Sequence, residues 1–538
     1  MKKHLLFFVV MMLPLAANAR SIEVDGIFYN FDSSKKTAQV ARWTSDIKYT
    51  GDVVIPSTVI RRDVEYAVTS IESNAFHDCS ELLSVTIPNS VTSIGNKIFA
   101  NCANLASIVV EAGNPTYDSR ENCNALIETA SNKLIMGCRG TTIPYGVTTI
   151  GKEAFLGCSC LYSISIPGSV TTIESYAFEG CTGLTTVIIP DGVTTIKSGA
   201  LKGCSGLTFV SLGKGLVDFP NYMFNGCDNL KTIEINNNAI VSKNYGNEDD
   251  NETTIQGMLA YSNVKEVILG EDVTSVGYRA FLRSTITSLK MTDNVKTIGD
   301  WAFYECTELT SIELSSNLTD IGEWAFASCF KLPSVTIPQS VKCVHLFAFQ
   351  FCNNLTKVVV NSNEVAAREN EQFYTLTSCF GKQVKEFVFG EDVKKIAWIA
   401  CSESENLTTV TISSNLTCID DSAFHKCTSL ADMYCYAEQV PAMGKDIFVD
   451  SNYKKATLHV PAASVEAYRS AEQWKDFGNI VALTDDDPKP TGISAMEYAP
   501  MTTDKAIYDL KGHQLTQPKK GLNIIRMSDG TTKKVIIK

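Results

Sequence analysis

The sequence predicts a solenoid of short parallel coils, followed by a small all-β module. The prediction depends on a pattern of residue types around an Ala-Phe pair, which returns along most of the 538 residues. Neighbouring copies are 23 residues apart, except for one step of 22 residues. A fixed period in this range is typical of a solenoid, in which each unit buries its apolar face only against its neighbours. The anchor position of the pattern holds Phe76, Phe99, Phe155, Phe178, Leu201, Phe224, Phe281, Phe303, Phe326, Phe349, Cys401 and Phe424.

The N-terminus has the pattern of a secretory signal peptide. Lys2 and Lys3 precede an apolar run over residues 5–15, and the small residues Ala17-Asn18-Ala19 follow. The run is too short to span a bilayer, and no later stretch is apolar for long enough to do so. We therefore expect residues 1–19 to be removed and the mature chain to be exported; the alternative is a buried N-terminal strand.

The charge of the chain is acidic. The formal net charge is −12, and it becomes −14 once Lys2 and Lys3 are removed with the signal peptide. An acidic surface opposes binding to phosphate backbones, which favours clustered Lys and Arg. We therefore do not expect nucleic acid as a partner.

Residues 20–70 are expected to cover the first coil as an N-terminal cap, because the end of a solenoid exposes an open core. Residues 22–29 alternate in polarity around Asp25-Gly26, which predicts a hairpin.

One repeat can be interpreted from residues 161–181. Residues 161–166 predict a short strand with alternate side chains inward, and Pro167 ends it because proline cannot donate to a ladder. Residues 170–173 predict a second short extended piece, and residues 177–181 a helical or 3-10 turn. Coils that stack about 4.8 Å apart bring the anchor rings into a column at a spacing that aromatic rings favour.

The positions of the cysteines indicate packing. Ten of the 18 lie three residues after the anchor, and Ser284 and Ser404 take this position in the remaining two copies. Such a position favours a small buried side chain, and paired two-residue Cys spacings typical of metal sites are absent, so we expect free thiols. A Cys123–Cys138 bridge stays open as an alternative. The ten are Cys79, Cys102, Cys158, Cys181, Cys204, Cys227, Cys306, Cys329, Cys352 and Cys427.

Three insertions interrupt the repeats of residues 71–435, near residues 111–140, 237–265 and 361–385. The first predicts a hairpin with its turn at Ser131-Asn132, which places Cys138 opposite Ala125. The second contains the acidic run 246–252, which we interpret as a solvated loop rather than a calcium site.

Beyond the repeats, residues 436–484 are expected to form a C-terminal cap. Residues 462–477 carry apolar side chains at helical spacing, which predicts one helix across the open end. Residues 485–490 are polar and rich in proline, as in a linker. Residues 491–538 predict the strands of a separate small β module.

The repeat Leu-x-x-Ile-x-Ile-Pro-x-x-Val-x-x-Ile-x-x-x-Ala-Phe-x-x-Cys resembles the leucine-rich repeat of BspA-like surface proteins of Bacteroidota. The resemblance covers roughly residues 50–435 and implies a right-handed leucine-rich repeat solenoid with a parallel β-sheet on the concave side. Short strands and helical or 3-10 turns are then expected on the other side.

The C-terminal module resembles the sorting domains of type IX secretion in Bacteroidota. The resemblance depends on Tyr508-Asp509-Leu510-x-Gly512, on Lys520-Gly521 and on a basic β end. Leu522 and Asn523 stand where the family has an aromatic residue. The alternative is a small all-β domain without a sorting function.

No arrangement of residues indicates an enzyme or a cofactor. The six histidines are scattered, and the chain has neither a Gly-rich phosphate loop nor a Gly-x-Ser-x-Gly motif. Cys343 and His345 suggest a nucleophile and a base, but they precede Ala348-Phe349 in a segment whose neighbours pack the coil. We therefore expect packing there and no catalytic, cofactor or metal site.

A binding surface is the function class that this pattern favours. Outward strand positions are mostly Thr and Ser, whereas apolar groups stand at Tyr162, Ile188, Phe209 and Val359. Exposed apolar groups on a regular scaffold are candidates for contact with a partner. These four residues are the candidate partner-binding residues.

The sequence and the resemblance together predict an exported, non-enzymatic scaffold for protein–protein interaction or adhesion. The expected partners are extracellular or host surface proteins, or other bacterial cells. The expected location is the cell surface or the medium, with or without attachment to the outer membrane. The alternatives are a secreted or periplasmic glycan-binding or glycan-cleaving protein, and a self-associating structural component of the surface.

Overall fold

A computed structural model describes residues 21–43, 48–220, 223–244, 255–259, 262–368 and 374–490, together with the backbone of four strands beyond residue 505. Residues 1–490 and 491–538 form two separate compact units. The predicted signal peptide and the acidic run 246–252 lie outside the described residues.

The N-terminal region forms a six-stranded sheet and begins the stack of coils. Asp25 and Gly26 have φ values of 51° and 80°, as the predicted two-residue hairpin between the first two strands requires. The parallel order β4-β7-β9 shows that coil stacking begins inside the predicted cap. The strands are β1 (Ile22–Val24), β2 (Ile27–Asp32), β3 (Thr37–Val40), β4 (Gly51–Val54), β5 (Thr58–Arg61), β6 (Val64–Ile71), β7 (Leu82–Ile87), β8 (Ser93–Ile94) and β9 (Ser107–Val110).

The first insertion contains the predicted hairpin. It consists of β10 (Tyr117–Asp118), a 3-10 helix (Arg120–Asn122), β11 (Ala125–Glu128) and β12 (Lys133–Gly137). Ala125 pairs with Gly137 rather than with Cys138, so the predicted register is wrong by one residue. The turn lies one residue earlier than predicted, because Glu128 pairs with Lys133, and a β-bulge between Leu126 and Ile127 reduces the resulting shift to one residue at Ala125.

The same hairpin separates two hydrophobic cores. Ala125, Ile127 and Leu134 belong to the core that runs on to the C-terminal cap. Leu126 and Met136 belong to the core of the N-terminal coils. The hairpin therefore acts as a partition with one apolar face for each core.

Each later coil adds strands to two parallel sheets. Strands of three or four residues form the main sheet, in the orders β15-β17-β18-β19-β21-β23 and β25-β27-β28-β30-β32-β34-β35. Strands of two residues form the second sheet. The strands are β13 (Thr149–Ile150), β14 (Thr172–Ile173), β15 (Thr186–Ile189), β16 (Thr195–Ile196), β17 (Phe209–Leu212), β18 (Thr232–Ile235), β19 (Glu266–Leu269), β20 (Ser275–Val276), β21 (Ser288–Met291), β22 (Thr297–Ile298), β23 (Ser311–Glu313), β24 (Asp320–Ile321), β25 (Ser334–Ile337), β26 (Cys343–Val344), β27 (Lys357–Val360), β28 (Glu386–Phe389), β29 (Lys395–Ile396), β30 (Thr409–Ile412), β31 (Cys418–Ile419), β32 (Asp432–Cys435), β33 (Ala442–Met443), β34 (Thr457–Val460) and β35 (Asn479–Ala482).

Residues 161–166 are an exception to this pattern, because they form no strand. The preceding copy turns on itself instead of extending: Cys138 N donates to Thr141 Oγ1 at 2.8 Å, and Thr141 N donates to Cys138 O at 3.1 Å. A strand needs a partner ladder for its backbone groups. The turn removes that partner on one side of residues 161–166.

The Ala-Phe segment closes each coil through single 3-10-type turns. Ala177 N donates to Glu174 O at 3.2 Å, and Cys181 N donates to Phe178 O at 3.1 Å. Tyr176 and Gly180 have φ values of 60° and 73°, in the left-handed region. A helix cannot continue through these residues, so each turn stays short.

The anchor rings stack as predicted. Ring centroids are 5.0 Å apart for Phe155–Phe178 and 4.9 Å apart for Phe281–Phe303. Two rings of the column were not predicted: Phe380 stacks on Phe349 at 5.3 Å, and Phe448 stacks on Phe424 at 5.7 Å. A search for the 23-residue step does not find them, because they follow the previous anchor by 31 and 24 residues.

The second and third insertions lie outside the main sheet, because β18 pairs directly with β19 and β27 with β28. Their helices are α1 (Asn238–Val241), α2 (Ile255–Leu259), α3 (Asn363–Ala366) and α4 (Leu376–Phe380). The buried Asn237 side chain caps α1 by accepting from Ile240 N at 2.9 Å, and it donates to Leu216 O at 2.7 Å.

The cysteines at the repeat position, which we name the cysteine ladder, are free and buried. Eight of the ten thiols, all except those of Cys79 and Cys158, also donate a hydrogen bond to the anchor carbonyl of the preceding coil. Cys181 Sγ lies 3.2 Å from Phe155 O, and Cys204 Sγ lies 3.1 Å from Phe178 O. Cys123 and Cys138 are free as well, so the structure contains no bridge between them.

The C-terminal cap differs from its prediction, since residues 462–477 are not one helix. A 3-10 helix (Ala462–Ser464) runs directly into α5 (Val465–Ser470), and Gln473, whose φ is 63°, separates α5 from a second 3-10 helix (Trp474–Asp476). The apolar stripe is nevertheless buried. Tyr468 Oη donates to Ala437 O at 2.8 Å, and Trp474 Nε1 donates to Pro441 O at 3.2 Å.

The predicted linker 485–490 is held against the last coils. Tyr436 Oη donates to Pro488 O at 3.1 Å, and the Lys489 ammonium lies 5.8 Å from the centre of the Tyr436 ring. The second unit is an antiparallel sheet in the order β37-β36-β38-β39. Its strands are β36 (Ala506–Tyr508), β37 (Gln514–Leu515), β38 (Gly521–Arg526) and β39 (Thr532–Ile537).

Candidate functional site

The main sheet has one face toward the core and one face away from it. In β15, Val187 and Ile189 are buried, whereas Thr186 and Ile188 are exposed. Successive side chains of a strand point to opposite faces. We name the outward-facing side of the main-sheet strands and of the parallel strands β4, β7 and β9, together with the equivalent residues of the coil at 161–166, the outer face.

Three of the four predicted binding residues lie together along the outer face, in successive coils. Tyr162 and Ile188 are 67% and 61% exposed. Phe209 is half-buried at the first position of β17, where it pairs in register with Thr186.

The prediction that Val359 is exposed is wrong, because this side chain is only 4% exposed. Val359 is the third residue of β27 and pairs in register with Val388, which pairs with Thr411. All three are buried. Branched side chains at adjacent positions of neighbouring strands pack against one another, so this row forms its own apolar layer.

Three further apolar residues of the outer face are exposed, namely Val54, Leu83 and Val109. Val54 and Val109 both pair with Thr86, at the strand position that Ile188 occupies in β15. An alignment of the repeats would have identified Leu83 and Val109 as outward residues. It would not have identified Val54, which precedes the first anchor and has no copy to align with. We name these three residues with Tyr162, Ile188 and Phe209 the outer apolar residues.

In the C-terminal half of the outer face the exposed strand side chains are polar, and ion pairs join neighbouring strands. Lys290 Nζ lies 3.0 Å from Glu266 Oε1, and Lys357 Nζ lies 2.8 Å from Glu386 Oε1. These groups are partly exposed, and such pairs contribute about 0–1 kcal/mol each. The two halves of the face therefore differ in what they offer a partner.

A second group of aromatic side chains, on the turn side, was missed by the sequence analysis. Trp301 and Trp324 stack with centroids 5.6 Å apart, and Trp324 stacks on Phe347 at 4.8 Å. All three precede an Ala-Phe pair and have positive φ. Aromatic residues at one position of three successive copies are the signal that predicts this group. Their ring faces cover one another, so the group stabilises the stacking of coils.

The described interior contains buried thiols and a small cavity. Burial raises the pKa of Cys102 and Cys306 to about 12, which keeps these thiols protonated at neutral pH. A cavity lined by Phe99, Met136 and Phe155 has a volume of about 10 Å³, the space of one water molecule. No group of three or more metal-ligating side chains occurs among the described residues.

Comparison with known structures identifies similar chains. The chain is 23% identical to a leucine-rich repeat protein of Bacteroides ovatus, over 86% of this chain and 100% of that one, with a TM-score of 0.30. It is 24% identical to a leucine-rich cell surface protein of Faecalibacterium prausnitzii, over 77% and 94% of the two chains, with a TM-score of 0.28. No curated relative matches the chain.

The model of one protein family matches most of the chain. It describes the BspA type leucine-rich repeat region and matches residues 58–130, 135–251, 253–379 and 375–469. These residues carry the repeat pattern, the two parallel sheets and the column of anchor rings. The chain therefore belongs to the BspA-type leucine-rich repeat family.

Proposed function

We propose that the chain is an exported, non-enzymatic scaffold that binds extracellular proteins or other cells at the bacterial surface. Leucine-rich repeat scaffolds are typical of protein–protein interaction. The observation that carries the proposal is the set of outer apolar residues, which place large apolar side chains on a face where Thr and Ser are the commonest residues. Of the helices in the described residues, none is long and apolar enough to span a membrane.

The outer apolar residues suit a protein partner for two reasons. Burial of apolar surface contributes roughly 25 cal/mol per Å², and large side chains such as Tyr162 supply most of it. The residues also stand on hydrogen-bonded coils, so little conformational freedom is lost when a partner binds. The acidic net charge disfavours nucleic acid as that partner.

A binding measurement with a matched control tests the proposal. Mature chain of residues 20–538 is titrated onto immobilised extracellular-matrix proteins and onto intact bacterial cells, and saturable binding is expected. Tyr162→Ser with Ile188→Asp should weaken binding about tenfold or more, as expected for central contact residues. Trp398→Ser is the control, because Trp398 is 48% exposed but lies near the Ala-Phe turn, away from the outer face. Equal binding by both variants contradicts the proposed surface, and a lack of partners in the whole panel contradicts the function.

Location is tested separately, with the proposed sorting role of residues 491–538. Intact cells that express the full chain, or the chain without residues 491–538, are treated with external protease. We expect the full chain to be digested and the shortened chain to stay protected inside. Protection of the full chain contradicts surface exposure.

A further inference from the structure

Cys343 stands apart from the cysteine ladder because it is partly exposed. Of the 18 cysteines, 15 are buried, and Cys160, Cys343 and Cys418 are not. Cys343 lies in the two-residue strand β26, where the sequence suggested a packing role. The next residue, Val344, is the buried one, whereas Cys343 is half-buried.

Two basic side chains contact this sulfur. Arg368, just after α3, donates from Nη1 to Cys343 Sγ. A hydrogen bond with Cys343 also raises the pKa of His345. A cysteine reacts as its thiolate, and the Arg368 guanidinium donates to the sulfur atom on which that negative charge forms. Cys160 and Cys418 have no such hydrogen bond or ion pair among the described residues.

A polar group without a partner lies next to the same site. The Arg368 guanidinium lies 4.3 Å from the centre of the Tyr374 ring. Tyr374 is buried, and within the described part of the chain its hydroxyl has no hydrogen-bond partner. Burial of a hydroxyl without a partner is unfavourable, and a polar group attached to Cys343 would supply an acceptor for it.

We propose that Cys343 is a modification site that undergoes thiol–disulfide exchange with small disulfides of the glutathione or cystine type. The thiol proton passes to His345, and the Cys343 thiolate attacks one sulfur of the disulfide. The original S–S bond breaks as the new one forms, and the other half leaves as a thiolate that takes up a proton. Cys343 is thereby oxidised and the released half is reduced.

The product is expected to persist as a mixed disulfide. A neighbouring thiol, that of Cys379, is fully buried and donates to Val344 O at 3.5 Å. Burial raises the pKa of Cys379 to about 12, so this thiol is protonated at neutral pH and cannot displace the adduct. The modification is reversible by external thiols.

Peptide mapping of the intact mature protein tests the proposal. Reduced protein is mixed with excess oxidised glutathione at neutral pH, samples are quenched with acid, and adducts at each cysteine are followed by mass spectrometry. Cys343 is expected to react about tenfold or more faster than Cys160 and Cys418. These two cysteines are controls within the same molecule, so the comparison needs no variant. Equal rates at the three positions overturn the proposal.

A variant then tests the role of the guanidinium. Arg368→Gln is expected to slow the reaction of Cys343 about fivefold or more, and Arg368→Lys to restore most of the rate, because Lys keeps the positive charge. Rates at Cys160 and Cys418 should not change, and circular dichroism checks that the fold is retained. A folded Arg368→Gln protein with an unchanged rate at Cys343 contradicts the role of the cation. Because no binding partner is involved, the result is independent of the proposed adhesion.

Discussion

At the repeat position three residues after the anchor ring, the contribution of the side chain to stability depends on whether the preceding coil supplies a hydrogen-bond partner. Most copies have a thiol that donates to the anchor carbonyl one coil earlier, as Cys352 Sγ does to Phe326 O at 3.1 Å. Ser284 follows the second insertion, and its buried hydroxyl has no partner among the described residues. Ser404 follows the third insertion, where α4 supplies Thr377 Oγ1 at 2.5 Å.

Replacement of these two serines by alanine is expected to have opposite effects on stability. Ser284→Ala removes a buried hydroxyl without a hydrogen bond and should raise the free energy of unfolding by about 1 kcal/mol. Ser404→Ala removes a hydrogen bond and should lower it by about 1 kcal/mol. Urea unfolding followed by circular dichroism measures both, and each variant serves as the control for the other. A shift in the same direction for both contradicts the assignment.

At the scale of an element, the hairpin β11–β12 is confined by the coil that follows it. A Cβ atom on Gly137 would lie 2.1 Å from Phe155 Cε1, inside the ring. Phe155 is itself buried beneath Phe178 and cannot move aside. Gly137 is therefore required for the hairpin to lie flat against the anchor rings.

Gly137→Ala is expected to lower the free energy of unfolding by about 2 kcal/mol or more, because the added methyl forces the strand or the ring to shift. Gly168→Ala is the matched control, since nothing lies within 4 Å of its added Cβ. It should change stability by less than about 0.5 kcal/mol. Thermal unfolding of the two variants beside the parent measures the difference. Equal melting temperatures for the two variants argue against tight packing between Gly137 and Phe155.

The repeat elements are predictable from the sequence because their period, proline and anchor ring are local signals. Phe380 and Phe448 were missed because insertions change the spacing but not the place of a ring in the column. The strand at residues 161–166 was predicted wrongly because a strand depends on its neighbour, and residues 138–141 form a turn. The exposure of a side chain is harder to predict from the sequence than the position of a strand. Ile188 and Val359 occupy equivalent positions, yet only the latter has buried branched neighbours in the next strands.

For the whole molecule, the cysteine ladder couples stability to alkaline pH. Burial raises the pKa of Cys102, Cys158, Cys227, Cys306 and Cys427 from 9.0 to about 12. In the unfolded chain these thiols lose their protons near pH 9, whereas in the folded chain they keep them. The stabilisation is therefore complete below about pH 9 and is lost between about pH 9 and pH 12, by roughly 1.4 kcal/mol per pH unit for each thiol.

The midpoint of urea unfolding should therefore change little between pH 7 and pH 8.5 and fall steeply above pH 9. Cys306→Ser replaces a titrating thiol by a hydroxyl. It should reduce the slope of the free energy of unfolding against pH by about 1.4 kcal/mol per pH unit, which corresponds to one proton. The comparison at pH 7 corrects for any difference in packing. A variant with the same slope as the parent shows that the buried thiols do not cause the alkaline loss of stability.

The two cores on either side of hairpin β11–β12 have a mechanical consequence for a chain pulled from its ends. Neighbouring coils are about 4.8 Å apart in the stack, whereas 23 extended residues reach about 80 Å. Each coil that detaches under load therefore lengthens the chain roughly fifteenfold relative to its height in the stack. The hairpin contributes side chains to both cores, so we expect detachment of coils to pause there until its antiparallel strands separate. A chain stretched from its ends is therefore expected to lengthen coil by coil, with a longer dwell at this hairpin.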